Sequence, residues 1–497
     1  MTGSLLPLAV LATSLIPGVV IFALPERARR TRVAFNLAGA IGKVVLVAAL
    51  IPAAAAGARF EFQAPFVPGI DLVLRVEPFA LYFLALSAVL WLLTTIYAIG
   101  YLGQGPHLNR FFGFFSLCVL ATSGIALSGN LTTFVIFFEL LTLVTYPLVV
   151  HEGTPAAVAG GRTYLAYTLT GGVVLLLGVV WLTATVGPVD FTDRGSPALR
   201  DFADQHPLTA TAIFVLILAG LGVKAALVPL HGWLPRAMVA PAPVSALLHA
   251  VAVVKAGVFG VVLLVDYVYG VELAEELGVL TPLAVLASVT IIYGSVQALR
   301  QDGLKARLAY STVSQVAYVT LGVSVASVLA TTGGIAHIVN QGFMKITMFF
   351  CAGLFATVLG LSKVSELDGV GRRMPVTATA FTIAVVGMVG IPPLAGFLSK
   401  WYLAGGAVET GQGWILAVLI TSSLLNALYF FPIVYRLWWK RSKAAELTPL
   451  TGLEAAPSLV LPTATTALLV LGIGVVAGWP YSPLELARLI TEGIYGQ

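Results

Sequence analysis

The chain has 497 residues, of which 59% are hydrophobic and only 10% charged, with a formal net charge of +5. Its mean hydropathy of +0.97 excludes a water-soluble globular domain. The small positive balance expresses an asymmetry between two sets of loops and does not point to nucleic acid.

Apolar runs of about 20 residues recur down the sequence, each enough to cross a ~30 Å hydrocarbon core. A membrane β-barrel would instead show weak alternation over segments of about ten residues. The prediction is an all-α polytopic membrane protein with about fourteen transmembrane helices. They lie at roughly 4–24, 33–57, 77–100, 110–129, 131–150, 161–186, 207–235, 240–265, 279–299, 304–324, 327–359, 375–409, 413–439 and 456–478. The first span lacks a basic leader and runs into Arg27–Arg32, so it reads as a helix rather than a cleavable signal. Between the second and third spans, 58–76 alternates apolar and polar residues and reads as an external hairpin. The segment 187–206 reads as an acidic external loop.

Orientation follows from Lys and Arg. With the N-terminus outside, one set of loops holds Arg27, Arg29, Arg30, Arg32, Arg110, Arg162, Arg236, Arg300, Lys305, Arg307, Lys363, Arg372, Arg373, Arg436, Lys440, Arg441 and Lys443. The other face holds only Arg59, Arg75, Arg194, Arg200 and Arg488. The bias predicts both termini outside.

Five lysines remain inside spans: Lys43, Lys224, Lys255, Lys345 and Lys400. Among the acids, Glu139 is the one read as deep in a span. Charges at membrane depth cost about 2.5–3.5 kcal/mol each on insertion scales, so they mark function by default. Lys43 lies near the basic flank and is expected to snorkel. Cys118 and Cys351 sit alone in apolar helices and read as buried small hydrophobes. His151–Glu152 is not HExxH, and no other metal spacing is present. No nucleotide, flavin or iron–sulfur motif occurs, so no cofactor is expected.

Span seven carries KAALVPLHGWLPRA, a lysine followed by Pro229, His231, Gly232 and Pro235. PLHGWL at Pro229–Leu234 is echoed by PLAGFL at Pro393–Leu398, which brings Pro392, Pro393 and Gly396 into span twelve. SALLHA at Ser245–Ala250 is echoed by SSLLNA at Ser422–Ala427, and GGRTY at Gly160–Tyr164 more weakly by GGIAH at Gly333–His337. Three echoes in one order suggest a duplicated five-span unit. An odd span number inverts the second copy, and each copy has one broken helix, the seventh and the twelfth. The division is 1–106 for helices one to three and the hairpin, 107–270 and 271–443 for the two repeats, and 444–497 for the last helix and tail. Broken helices at membrane depth are tolerated where they are buried in protein or line a watery cavity. His231 at the break could cap freed backbone; His107, His151 and His206 fall at span ends or in loops.

A buried amine holds its proton weakly unless a carboxylate stands beside it, so a Lys–Glu pair that separates and rejoins is a proton switch. Glu139 and Lys224 are the evident pair. Span eight adds His249 and Lys255, taken as one continuous helix. Span eleven adds His337, Gln341 and Lys345, spaced four apart on one face. Span twelve adds Lys400. The bland alternatives are helix–helix glue for His249 and His337, and a scaffold whose buried charges only fix packing.

The stretch GVKAALVPLHGWLPRAMVAPAPVSALLHAVAVVKAGVF resembles the core of the antiporter-like subunits of respiratory complex I, Mrp-type multisubunit sodium/proton antiporters and membrane-bound hydrogenases. FFELLTLVTYPLV around Glu139, HIVNQGFMKITMFF around Lys345 and GIPPLAGFLSKW at Gly390–Trp401 extend the resemblance over roughly 77–440. It implies fourteen helices in two inverted repeats, and an ion path through Glu139, Lys224, Lys255 with His249, Lys345 with His337, and Lys400. Lys400 and the short C-terminal segment are similar to the D-type component of Mrp antiporters, whereas His249 with Lys255 is also seen in hydrogenase-linked relatives. The implied function is a proton-translocating subunit of a cation (sodium)/proton antiporter; the alternative is the proton-pumping subunit of a redox-driven complex. Either implies other membrane subunits as partners, in a bacterial or archaeal cytoplasmic membrane.

Overall fold

The computed structural model describes residues 4–441 and 454–496. Two helices open the chain, α1 (Leu6–Ala23) and α2 (Arg29–Ala55), followed by an antiparallel hairpin of β1 (Phe60–Val67) and β2 (Ile70–Val76). Then come α3 (Pro78–Leu102), α4 (Leu108–Leu127), α5 (Leu131–Val149), α6 (Pro155–Val186), α7 (Pro197–Gln205) and α8 (Pro207–Lys224). The middle comprises α9 (Trp233–Arg236), α10 (Ala242–Ala250), α11 (Val253–Val262) with a π-helical continuation Leu263–Tyr269, and α12 (Val271–Glu276). The rest are α13 (Leu280–Leu299), α14 (Leu304–Ser324), α15 (Val328–Leu359), α16 (Pro375–Val389), α17 (Ala395–Glu409), α18 (Trp414–Trp438), α19 (Pro457–Val475) and α20 (Pro483–Tyr495).

Local chemistry sets many of these starts. Proline stands in the first turn of α3, α6, α7, α8, α16, α19 and α20, where its missing N–H and fixed φ do no harm. Asn130 caps α5 by accepting from Thr133 N at 2.9 Å, and Thr154 caps α6 by accepting from Ala157 N at 3.1 Å.

Among the described residues twelve helical stretches are long and apolar enough to cross a membrane, the α10–α11 stretch Ala242–Tyr269 counted as one. Two predicted spans fall outside that set for physical reasons. Helix α14 has the length but buries Ser311, Thr312, Ser314 and Gln315 against protein, so it needs no apolar surface. Span twelve is split into the short α16 and α17 by the break at Gly390–Leu394. The length of 187–206 is not all loop: Ser196 and Pro197 start α7, an amphipathic helix that packs on α8. Lys443 and the boundary between 443 and 444 lie outside the described residues.

The loops sort onto two faces. On one, Ser4 N donates to Glu61 O at 2.8 Å, Gly129 N to Val73 O at 2.9 Å and Phe191 N to Gly129 O at 2.9 Å, which ties α1, the hairpin, the α4–α5 turn and the 187–191 segment together. On the other, Arg110 donates to His151 O at 2.9 Å, and Lys305 to Ala240 O at 2.7 Å. The α10–α11 segment is buried throughout and forms the centre, while α2, α6 and α18 turn most of their apolar surface outward. On α6 the exposed side chains include Val173, Leu177 and Val180, as a lipid-facing stripe requires.

Candidate functional site: a buried lysine series

Helix α8 ends at Lys224, and the backbone then turns through Ala225–Gly232 before α9. A cation at a helix C-terminus is favoured by the unpaired carbonyls there. The Lys224 ammonium also donates to Phe138 O and lies 3.5 Å from the Phe138 ring centre. The next residue on α5 is Glu139, whose Oε1 stands 4.0 Å from Lys224 Nζ. At that distance a small side-chain motion closes or opens the pair. Gly172 on α6 faces the Glu139 carboxylate so closely that a Cβ there would overlap it.

Gly257 on α11 packs against the backbone of Lys224 and Ala225, at a separation that also excludes a Cβ. Two residues earlier on α11, Lys255 Nζ donates to Ile338 O of α15 at 2.8 Å. Its neighbour His337 joins Nδ1 to Ser399 Oγ on α17 at 2.8 Å. Next to Ser399, Lys400 donates to Met388 O at 3.0 Å, Val389 O at 2.9 Å and Ser423 Oγ at 3.0 Å. The two carbonyls are those freed where α16 ends. Gly390 makes that turn at φ +91° and leaves space for the Lys400 chain. Lys345, two turns beyond His337, donates to Ser311 Oγ at 2.6 Å and Leu308 O at 3.2 Å on α14.

The structure therefore brings Glu139, Lys224, Lys255, His337, Lys345 and Lys400 into a series across α5, α8, α11, α15 and α17, whose first two parts meet where Gly257 packs on the backbone of Lys224 and Ala225. Lys224 pairs with Glu139, and Lys255, His337 and Lys400 are linked through Ile338 and Ser399. Lys255, Lys345 and Lys400 all lie within electrostatic reach of His337. His249 touches none of these by hydrogen bond; both ring nitrogens lack a partner, and the ring packs on Phe349 with centres 4.6 Å apart. It feels the charges of Lys345 and Lys305. Gln315, Gln341, Tyr318 and Asn340 also leave buried polar atoms unpaired around this axis. Such atoms cost about 1–3 kcal/mol each when dry, so their concentration here marks a region built for a polar occupant. His231 packs edge-on to Tyr293, with ring centres 4.9 Å apart, and its Nδ1 has no partner.

Four expectations need correction. Span eight is not one helix: α10 ends at Ala250, and Val251 and Ala252 leave helical geometry before α11, so His249 and Lys255 sit on separate segments. Gly396 and Pro235 lie in the short helices after the breaks rather than in the breaks, and Gly396 lets α17 touch Gly387 O. Lys43 does not snorkel: it is fully buried, donating to Ser14 Oγ at 2.9 Å and Ser123 Oγ at 2.5 Å. The signal is its distance from Arg32, about 16 Å along a helix and so near mid-depth. Finally, Glu139 is not the only acid buried within a span, since the eighth holds Asp266 near its hairpin-face end. Asp266 is fully buried and both its oxygens lack partners. A span eight that ends at 265 stops one residue short of it, although the apolar run continues through DYVY to Gly270.

Cys118 and Cys351 are buried free thiols, and among the described residues no group of His, Cys, Asp or Glu could hold a metal ion.

Residues 128–426 match the family described as NADH:quinone oxidoreductase/Mrp antiporter, transmembrane. NADH-quinone oxidoreductase subunit N of Desulforudis audaxviator is 36% identical over 426 residues, covering 82% of this chain and 81% of the relative. A Na(+)/H(+) antiporter subunit of Bacillus subtilis is 26% identical over 439 residues, covering 87% and 86%. In the solved Mrp complex from Dietzia, a chain 22% identical superimposes with a TM-score of 0.88 over 100% of this chain and 98% of that one, which establishes the shared fold.

Proposed function

This chain belongs to the NADH:quinone oxidoreductase/Mrp antiporter membrane family, and from that premise we propose that it is the proton-translocating subunit of a multisubunit cation (sodium)/proton antiporter. The observation that carries the reading is the Glu139–Lys224 pair at the broken end of α8, at 4.0 Å, continued by Lys255, His337 and Lys400. When the pair closes, Glu139 stabilises the Lys224 ammonium. When it opens, the isolated buried amine gives up its proton to the next acceptor along the axis. Lys255, His337, Lys345 and Lys400 then act as successive stations, with the unpaired amides and hydroxyls holding water between them. A groove of about 660 Å³ between α6, α9, α14 and α15, lined by Lys305, supports access from the basic face.

The chain order is consistent with two inverted five-span halves, 107–270 and 271–443, each with one break. The Lys/Arg bias favours placing the basic face in the cytoplasm of a bacterial or archaeal cell and both termini outside. Other membrane subunits, protons, sodium and lipid are the proposed partners.

A second reading, a proton-pumping subunit of a redox-driven complex, is favoured by the 36% identity to subunit N of NADH-quinone oxidoreductase. The same proton path serves both, and the driving partner differs. Transport in vesicles carrying the assembled complex tests the shared core. Lys224→Ala and Glu139→Ala should abolish proton flux without lowering complex yield, and full flux in Lys224→Ala would refute it. Purification from native membrane separates the two readings. A colourless sample holding only membrane subunits favours the antiporter; a coloured one with large soluble subunits favours the redox complex.

A further inference from the structure

Asp266 lies outside the series just described. It sits in the π-helical segment Leu263–Tyr269, about three helical turns beyond Lys255 toward the hairpin face. π-Helical turns are rare and concentrate at functional positions. The carboxyl is 0% exposed, and neither oxygen has a hydrogen-bond partner. Such a group persists in a core only if it is neutral for much of its life or is served by a mobile partner. No cation pairs with it among the described residues.

Its chain neighbour stands at a surface recess. Tyr267, the next residue, lines a recess of about 170 Å³ together with Glu77, Asp193 and Gly493. Glu77 and Asp193 also line a bowl of about 1170 Å³ on the hairpin face, where Glu61, Glu77, Asp190 and Asp193 outnumber Arg59 and Arg75. On the other side, Tyr495 of α20 lies within electrostatic reach of Asp266 and bonds to Thr331 of α15 at 3.1 Å between hydroxyls. Thr331 is less than two turns from His337. Burial raises the Glu77 carboxyl above its usual range, with Arg75 opposing at 3.3 Å, at the rim of the recess.

We propose that Asp266 is a proton-carrying carboxyl linking the Lys255–His337 end of the buried series to the acidic bowl on the hairpin face. The carboxylate takes one proton from the axis, becoming a carboxylic acid, and passes one proton to the recess at Tyr267 and Glu77, returning to carboxylate; the reverse order serves inward flux. The titratable groups around it are Tyr267 on its own segment and Tyr495 on α20, with Glu77, Asp193 and Glu275 one step further out. The inference rests on the proton-translocating reading, and its test separates the two.

The experiment measures proton flux in vesicles with the complete complex carrying Asp266→Asn, Asp266→Glu or Lys224→Ala. The expected result is at least a ~10-fold loss in Asp266→Asn at unchanged complex yield, with flux largely recovered in Asp266→Glu. If Lys224→Ala is inactive and Asp266→Asn retains full flux, this inference fails while the function stands. If Lys224→Ala is fully active, the function itself fails. Infrared spectroscopy of the wild-type complex needs no variant to fold. A protonated-carboxyl stretch that exchanges with deuterium slowly, and that shifts on isotopic labelling of aspartate, supports the proposal. Absence of any protonated aspartate band across the working pH range overturns it.

Discussion

Gly172 leaves the space that the Glu139 carboxylate occupies, and a methyl group there would overlap it. Gly172→Ala should therefore push the carboxylate away from Lys224. Proton flux is expected to fall by about tenfold, a barrier change of roughly 1.4 kcal/mol, with complex yield kept. Vesicle flux against yield checks this, and an unchanged flux would mean that the pair geometry is not limiting. Lys43 gives a contrasting case. Its partners Ser14 and Ser123 also bond to Leu11 O at 3.3 Å and Val119 O at 2.7 Å, so removing the lysine orphans neither. Lys43→Met should leave the melting temperature unchanged or raise it, because a buried charge replaced by an apolar chain of similar volume is commonly neutral or stabilising. A large drop would show that the lysine is held for more than packing. The lysines and the glutamate are readable in the sequence because charge in an apolar run is conspicuous. Which carbonyls and hydroxyls receive them is not readable, since Ile338 O, Met388 O and Ser311 come from other helices. Asp266 lies one residue beyond the expected end of its span, where a hydropathy boundary is least sharp.

Helices ended by Gly and Pro can be located from sequence, as at Gly390–Leu394, because those residues act on their own backbone. The interruption at Val251–Ala252 cannot, since it carries neither Gly nor Pro. The start of α16 shows a similar long-range dependence. Its first free N–H groups, on Val376 and Thr377, donate to Glu454, which also accepts from Thr377 Oγ1 at 2.8 Å. Glu454→Ala leaves these donors unpaired, and a stability loss of about 1–3 kcal/mol is expected. Thermal unfolding of the purified chain measures it, with Glu454→Gln retaining part of the stability. The loop 360–374 on the basic face is latched near its middle by two carboxylates, Asp302 on Ser365 and Asp368 on Arg436 and Lys440. Ser365 donates to Asp302 from Oγ at 2.8 Å and from N at 3.0 Å, holding that carboxyl below its usual range. Burial pushes Asp368 up, but hydrogen bonds from Lys440 and Arg436 override it and leave it depressed too. A depressed folded value means that the latch is fully present above the ordinary carboxylate range near pH ~4 and is lost as pH falls through the lower folded value. Amide exchange in 360–374, corrected for intrinsic rates, should accelerate on such acidification. In the double variant Asp302→Asn and Asp368→Asn it should not respond.

At the scale of the whole molecule, the two faces differ in charge and in architecture. One carries the hairpin, α7 and α20; the other carries the Lys- and Arg-rich loops around Arg110, Lys305 and Arg436. Sequence makes this division visible because alternation of spans sorts loops strictly by parity, and one misplaced span would scramble the bias. It does not show that the hairpin closes over a bowl with acids from 190 and 193, which needs the fold. Membrane insertion keeps Lys and Arg in the cytoplasm, so the hairpin face should be external. The only two cysteines, Cys118 and Cys351, are buried, which gives a low background for surface labelling. Single cysteines at Gln63 on the hairpin and Glu152 on the opposite face both replace exposed side chains. A membrane-impermeant maleimide added to intact cells should modify Gln63→Cys and leave Glu152→Cys untouched until the membrane is opened. The reverse pattern would invert the orientation. It would turn the acidic bowl and Asp266 toward the cytoplasm and make the groove at Lys305 the external mouth, while leaving the buried series itself unchanged.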